Sequence, residues 1–236
     1  MGTYPLYYNM NYMLCMIPAF IIMTIAQISI SSAYKKWGKV AVSSGFTGAA
    51  TAQKLIAQNN MDDVQIRGVS GTLSDNYDPR SKTLNLSQSV ANNPSVASVA
   101  VAAHELGHAL QDREGYLPLK LRALLAPAVS IGSYVGWIML AIGMALNYLE
   151  LAWLGVAVFA IGFLFALATV PVEMNASARA RKMLSEAGVI TNAEEARGVN
   201  IVLNAAALTY IGALATAVMQ LLYFISMVAG MGRRRS

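Results

Sequence analysis

The sequence has little charge, few histidines and almost no cysteine. Charged residues make up 12% of its 236 residues, about half the share found in soluble globular proteins, which argues against a soluble domain. The single cysteine, Cys15, excludes an internal disulfide framework. The formal net charge is +5, but basic and aromatic residues are not interleaved. The composition therefore gives no indication of a nucleic-acid partner.

Long apolar runs make up much of the sequence. Apolar residues make up 56% of the chain, and four runs reach the ~20 residues that cross a hydrocarbon core. They lie at residues 12–32, 124–146, 151–170 and 205–229. The first run could instead be a signal peptide ending near Ala33. However, no basic residue precedes it and it is longer than a typical signal-peptide core, which favours a retained anchor.

Lysine and arginine are unevenly distributed between these runs. The segment after the first run holds ten of the seventeen, residues 171–204 hold four, and the turn at 147–150 holds none. Because basic residues are retained on the cytoplasmic side of a membrane, we expect the first two of these segments to lie in the cytoplasm. The basic residues 233–235 would then lie outside, which is unusual for such a tail. The fourth run could therefore also be re-entrant.

These observations predict a mainly α membrane protein with about four transmembrane helices and a small α+β cytoplasmic part. We expect an N-terminal anchor (1–32), a cytoplasmic segment (33–123), a transmembrane hairpin (124–170), a second cytoplasmic segment (171–204), and a fourth helix with the basic tail (205–236).

Both histidines of the chain lie in one motif, His104-Glu105-Leu-Gly-His108, within an apolar helical run. Four residues are slightly more than one helical turn, so the two imidazoles project from one face and can hold one zinc ion. Glu105 would lie beside the metal, where its carboxylate can act as general base toward a zinc-activated water. This is the chemistry of a metallopeptidase, and it would make the cytoplasmic part zincin-like.

The motif is specific for so short a pattern. Random ordering of this composition would give it in roughly one case in four thousand. Two ordinary core histidines, or a zinc site without catalysis, are the alternatives.

The elements around the motif can also be predicted. The motif helix should run from Pro94 to Asp112, with Asn93 as its cap. Short strands are expected at residues 64–69, 73–77 and 82–86, the last two joined by a turn. The last strand could bind a peptide substrate as an added strand, or it could simply cover the motif helix. Its candidate residues are Thr83, Leu84, Asn85 and Leu86.

A catalytic zinc ion usually has a third protein ligand, and the sequence offers no third histidine. Its only thiol lies within the first apolar run. Among the carboxylates, Glu173 is the best candidate, because it follows the third run on the same predicted side as the histidines. A carboxylate at the edge of a membrane helix is costly unless it is paired or bound to a cation. An ion pair with Arg179 or Arg181 is the alternative.

Four further residues could support the chemistry. Asn175 and Ser177 are near enough in sequence to Glu173 to orient the imidazoles. Tyr77 and Tyr210 could donate a hydrogen bond to a developing oxyanion. For both tyrosines an ordinary interfacial position is the simpler explanation.

Several short motifs are distributed over almost the full length of the chain. They are Gly45–Gly48, Asp75–Arg80, Ala102–Gln111, Pro118–Arg122, Pro171–Ser177 and Leu203–Tyr210. In these stretches the chain resembles the bacterial membrane family of neutral zinc metallopeptidases, the YugP-like proteins. The resemblance implies cytoplasmic proteolysis at the inner membrane and gives no substrate.

More distantly, the chain is similar to the gluzincin membrane proteases of the Ste24 and HtpX kind. In those proteases a His-Glu-x-x-His helix is followed by a Glu-x-x-x-Asp helix. The resemblance implies that His104, His108 and Glu173 are zinc ligands and that Glu105 is the catalytic base. Ser177 stands where that pattern has Asp, so a carboxylate that orients an imidazole is not expected there.

We therefore expect a multi-pass zinc metalloendopeptidase of the bacterial inner membrane, with one catalytic zinc ion and a peptide or membrane-protein substrate. A catalytically silent zinc-binding scaffold or adaptor is the alternative. A channel or transporter is disfavoured, because the apolar runs contain almost no ionisable groups. The sequence gives no oligomeric state.

Overall fold

The computed structural model describes residues 4–71 and 74–233. That part of the chain is mainly helical with one small sheet, as predicted. Its elements are α1 (Tyr4–Trp37), α2 (Gly48–Gln58), β1 (Gln65–Val69), β2 (Asn76–Asp78), β3 (Thr83–Ser87), α3 (Gln88–Ala91), α4 (Val96–Arg113), α5 (Leu117–Ala145), α6 (Leu149–Glu186) and α7 (Ala193–Arg233). Leu73 of the predicted second strand, and Arg234 and Arg235 of the basic tail, lie outside the described residues.

Within the described residues, four helices are long and apolar enough to cross a membrane. The candidate spans are Tyr12–Trp37, Leu117–Ala145, Leu149–Glu186 and Ala193–Gly232, which agrees with the predicted number. α6 and α7 are longer than their apolar runs. They continue into polar sequence because helical hydrogen bonds are satisfied within the segment itself and alanine, arginine and leucine there favour the helix.

The chain divides into two compact units. The apolar unit contains the stretch up to Ile25, Lys120–Val170, and the stretch from Tyr210 onward, and the sheet unit contains Ala26–Leu119 and Pro171–Thr209. In the apolar unit, the ring of Phe224 lies 5.0 Å from that of Trp137 and 4.6 Å from that of Phe159, measured between centroids. Aromatic packing of this kind stabilises apolar helix contacts.

The sheet unit is organised around α4 and a three-stranded sheet of order β1-β3-β2. β3 is parallel to β1 and antiparallel to β2, so the predicted hairpin is confirmed. Its turn is stabilised by the Asp78 carboxylate, which accepts hydrogen bonds from Arg80 N at 3.0 Å and Ser81 Oγ at 2.7 Å. Leu84 and Leu86 of β3 are fully buried in the same core as α4.

α4 begins at Val96 and not at the predicted Pro94. Its cap is Ser95, whose hydroxyl accepts a hydrogen bond from Ser98 N at 3.2 Å. Val42 N donates to Pro94 O, and Val96 N donates to Val40 O, both at 2.9 Å. These bonds hold the chain extended through this stretch, so the prediction of Asn93 as the cap was wrong.

Candidate metal centre

Three side chains with potential ligand atoms converge in the sheet unit. They are His104 and His108 on α4 and Glu173 on α6, and one ligand atom of each lies within 4.8 Å of the other two. Oε2 of Glu173 is 3.1 Å from Nε2 of His104 and 3.5 Å from Nε2 of His108. Glu173 is 2% exposed. A carboxylate buried this deeply requires a cationic or hydrogen-bonding partner.

The hydrogen bonds of Gln111 fix the tautomer of His108. Gln111 Nε2 donates to the carbonyl oxygen of Val172 at 2.8 Å, which sets the orientation of the amide group. Its Oε1 therefore faces Nδ1 of His108 at 3.0 Å. Because an amide oxygen only accepts, Nδ1 of His108 carries the proton. In the neutral imidazole, which is the form that binds a metal, the lone pair is then on Nε2, the nitrogen nearest to Glu173.

His104 is held in a similar way. Its Nδ1 lies 3.1 Å from the hydroxyl oxygen of Ser177, and its Nε2 faces Glu173. Two Nε2 atoms and one carboxylate oxygen directed at a common point form the donor set that catalytic zinc takes, with a fourth position open. Partners on the opposite ring nitrogens are typical of zinc-ligating histidines. The residues present therefore fit a zinc ion.

A close helix contact brings these residues together. A Cβ atom at position 107 would lie 2.5 Å from the carbonyl oxygen of Ala176, so only glycine allows α4 to approach α6 at this distance. Gln111, which is fully buried, also donates to Oδ1 of Asn175 on α6 at 2.9 Å. These contacts place the two histidines opposite Glu173.

Glu105 lies between the ligand cluster and strand β2. Its Oε2 accepts a hydrogen bond from the backbone N–H of Tyr77 at 3.1 Å. Desolvation raises the pKa of the Glu105 carboxyl above its usual value, against the opposing effect of the two imidazoles. Its position beside the two imidazoles suits a general base.

The other predicted site residues differ in their hydrogen-bond partners. Ser177 contacts an imidazole, whereas Asn175 contacts Gln111 and Arg179 and no imidazole. The hydroxyl of Tyr77 donates to Asp112 at 3.0 Å, and burial together with this bond raises the Tyr77 pKa. Its hydroxyl is therefore already bonded to Asp112, and the oxyanion role of Tyr77 stays a prediction. Tyr210 lies on α7, and its role stays a prediction.

The two arginines considered as partners of Glu173 have other partners. Arg179 forms an ion pair with Glu114 at 2.6 Å. Arg181 donates to Oδ1 of Asn204 at 2.5 Å.

The prediction that residues 83–86 bind the substrate as an added strand was wrong. Thr83, Leu84 and Asn85 of the central strand β3 pair with β1 on one side and with β2 on the other. Leu86 pairs with β1 and is fully buried. Only an edge strand has backbone groups available for an added peptide. β2 is such an edge strand, and its Tyr77 N–H faces Glu105.

Gln111 was missed by the sequence reasoning. It lies three residues after His108, and residues at this spacing are neighbours on a helix. A polar residue at that position in an otherwise apolar helix could have indicated a contact with His108.

These features define the class of the protein, which is a membrane protein with a possible zinc site. The sequence model of the family described as "Putative neutral zinc metallopeptidase" matches residues 12–229. The chain belongs to this family, which confirms the resemblance noted in the sequence. It is also 42% identical over 214 residues to "Putative membrane protease YugP" of Bacillus subtilis (strain 168), covering 87% of this chain and 95% of that protein. No solved structure matches the chain.

Proposed function

We propose that the protein is an integral membrane zinc metalloendopeptidase in which His104, His108 and Glu173 hold one zinc ion. The observation that supports this most is the convergence of two Nε2 atoms and a buried carboxylate, with Nδ1 of each imidazole bonded elsewhere. Family membership supports peptide hydrolysis as the reaction class.

Glu105 is the proposed general base of this reaction. Zinc, when bound, supplies a Lewis acid that polarises a carbonyl group and lowers the pKa of a bound water towards 7. Glu105 accepts the proton of the attacking water and returns it to the leaving amine. The backbone N–H of Tyr77 holds the Glu105 carboxylate in place. Ser177 and Gln111 keep the two imidazoles oriented.

The outer edge of β2 is the proposed binding position of the substrate backbone. A segment of a peptide or membrane protein would bind there in extended conformation, through main-chain hydrogen bonds. The edge lies beside the general base, because Tyr77 N on β2 donates to Glu105. The substrate would therefore pair with the other backbone groups of this edge. This replaces the central strand as the substrate-binding element.

The active site is proposed to lie on the cytoplasmic side of a bacterial inner membrane. Fourteen of the seventeen basic residues lie in residues 33–123 and 171–204, and both segments contribute to the candidate centre. α7 is a single helix from Ala193 to Arg233, which favours a complete fourth span over a re-entrant segment.

Substitution of the general base tests the proposal. Glu105→Gln keeps the size of the side chain and the three ligands, so the purified variant should retain zinc. Casein cleavage should fall by about 10²–10⁴-fold because the proton acceptor is lost. Zinc content and cleavage are measured on the same preparation.

Glu114→Gln is the matched control. It makes the same chemical change at the end of α4, where the Glu114 side chain is half exposed and pairs with Arg179, and it should remain active. Full activity of Glu105→Gln would contradict the proposed role. Zinc-loaded wild-type protein that cleaves neither casein nor membrane-protein substrates would favour the silent scaffold.

A further inference from the structure

A cavity with several polar lining residues lies in the sheet unit, where α6 ends and α7 begins. Its volume is about 370 Å³, and none of its lining residues belongs to the metal centre. Among the described residues, Arg181 is the only charged one in the lining, and no acidic side chain of that part of the chain lines the cavity. The other polar lining residues are Ser185, Thr191, Asn192 and Asn200.

The guanidinium group of Arg181 has no counter-ion among the described residues. Its acceptor there is the neutral amide oxygen of Asn204, at 2.5 Å, and its Nε is buried without a hydrogen-bond partner. Arg179, two residues earlier, forms an ion pair with Glu114. A partly buried cation that lacks a negative partner keeps part of its desolvation cost uncompensated. An anion in the cavity would offset that cost.

We propose that this cavity binds a phosphate-type oxyanion through Arg181. Guanidinium groups match the geometry of phosphate oxygens, and the hydroxyl of Ser185 adds a neutral donor. The hydroxyl of Thr191 already donates to Glu195 at 3.4 Å. The first turn of α7 also borders the cavity, but its Glu195 N–H already donates to Asn192 Oδ1 at 2.9 Å, so Arg181 is the principal anion-binding group. Glu194 and Glu195 lie in that turn, but neither lines the cavity.

The headgroup of an anionic phospholipid is one source of this anion, and free phosphate is the other. Asn204, the partner of Arg181, directly precedes the apolar run of α7 at 205–229. With the proposed topology, this places the cavity near the cytoplasmic membrane surface, where anionic lipids are concentrated. The lipid source rests on that topology. The anion site itself does not depend on peptide hydrolysis.

Ligand binding to the full-length protein in detergent tests the site. Dioctanoyl phosphatidylglycerol and inorganic phosphate are titrated separately, with uncharged dioctanoylglycerol as the control, and the shift in thermal unfolding is measured. We expect the phosphatidylglycerol shift in wild type and in Lys182→Gln, whose side chain is 75% exposed. Arg181→Gln should weaken binding at least about 10-fold, because a charge-assisted hydrogen bond is lost.

Asn204→Asp gives a second test that retains the arginine. The new carboxylate would lie beside the guanidinium and act as an internal counter-ion, so this variant should be folded and should not bind the anion. A wild-type response to phosphate alone would support the site and identify free phosphate as its source. The proposal is overturned if neither anion binds wild type, if both variants bind like wild type, or if dioctanoylglycerol gives the same shift.

Discussion

α6 makes two close helix contacts that share their geometry and differ in chemistry. In the sheet unit, Gly107 of α4 lies against Ala176, and in the apolar unit, Gly143 of α5 lies against Ala152. A Cβ atom at either glycine would lie 2.5 Å from a backbone atom of α6. The first contact is bordered by buried polar groups, including Gln111 and Glu173, whereas the second is bordered by buried apolar residues such as Leu140 and Val156.

The comparison separates the role of close approach from the role of buried polarity. Glycine permits the approach in both places, so it gives no sign of function by itself. The first contact differs because its buried polar atoms have hydrogen-bond partners. Nδ1 of His104 contacts Ser177 on α6, and Nδ1 of His108 contacts Gln111 on α4. We infer that the first contact positions the candidate zinc ligands and that the second only packs helices.

The largest expected effect comes from substituting the two glycines. Gly107→Ala should destabilise the protein by about 1–3 kcal/mol through overpacking and should also weaken zinc binding, because α4 must move away from α6. Gly143→Ala should cost a similar amount of stability and leave zinc affinity unchanged. Thermal unfolding and chelator competition measure the two quantities.

Gly162 provides the control for this pair. It lies on α6, and a Cβ atom added there would have no neighbouring atom within 4 Å, so Gly162→Ala should leave zinc affinity unchanged and should not lower stability. Equal loss of zinc affinity in the Gly107 and Gly143 variants would remove the distinction between the two contacts.

A smaller effect is expected from Gln111→Ala. It removes the acceptor of His108 Nδ1, and the loss of such a partner typically weakens metal binding by about 10–100-fold. Asn175→Ala is the comparison, because Gln111 would keep its bonds to Val172 O and to His108. Zinc affinity is measured below the unfolding temperature of each variant.

If Gln111 had only a structural role, Gln111→Ala would have a lower unfolding temperature and an unchanged zinc affinity. Equal affinities of the Gln111 and Asn175 variants would also contradict its role in orienting His108.

Local patterns predicted much of the fold and of the candidate site. The apolar runs gave the four candidate spans, and the spacing of His104 and His108 gave the convergence of their imidazoles, since both depend on helical periodicity alone. Glu173 could be selected because a buried carboxylate at the end of an apolar run needs a partner. In each case a residue type and its neighbours in sequence were sufficient.

Pairings between distant segments could not be predicted in this way. The central position of β3 depends on its parallel pairing with β1, which no turn between neighbouring strands specifies. The start of α4 depends on backbone bonds between Val40, Val42 and the segment before Val96. The role of Gln111 depends on α6 lying opposite it. These contacts join residues far apart in the chain, and periodicity does not encode them.

Zinc content of the purified protein is the most direct test of the central claim that α4 and α6 together hold one metal ion. We expect one zinc ion per chain in the wild type by inductively coupled plasma mass spectrometry. Glu173→Ala, shown to be folded by circular dichroism, should lose it, because the carboxylate from α6 completes the ligand set. Wild-type protein without stoichiometric zinc, or a Glu173→Ala variant that keeps its full zinc content, would contradict the claim.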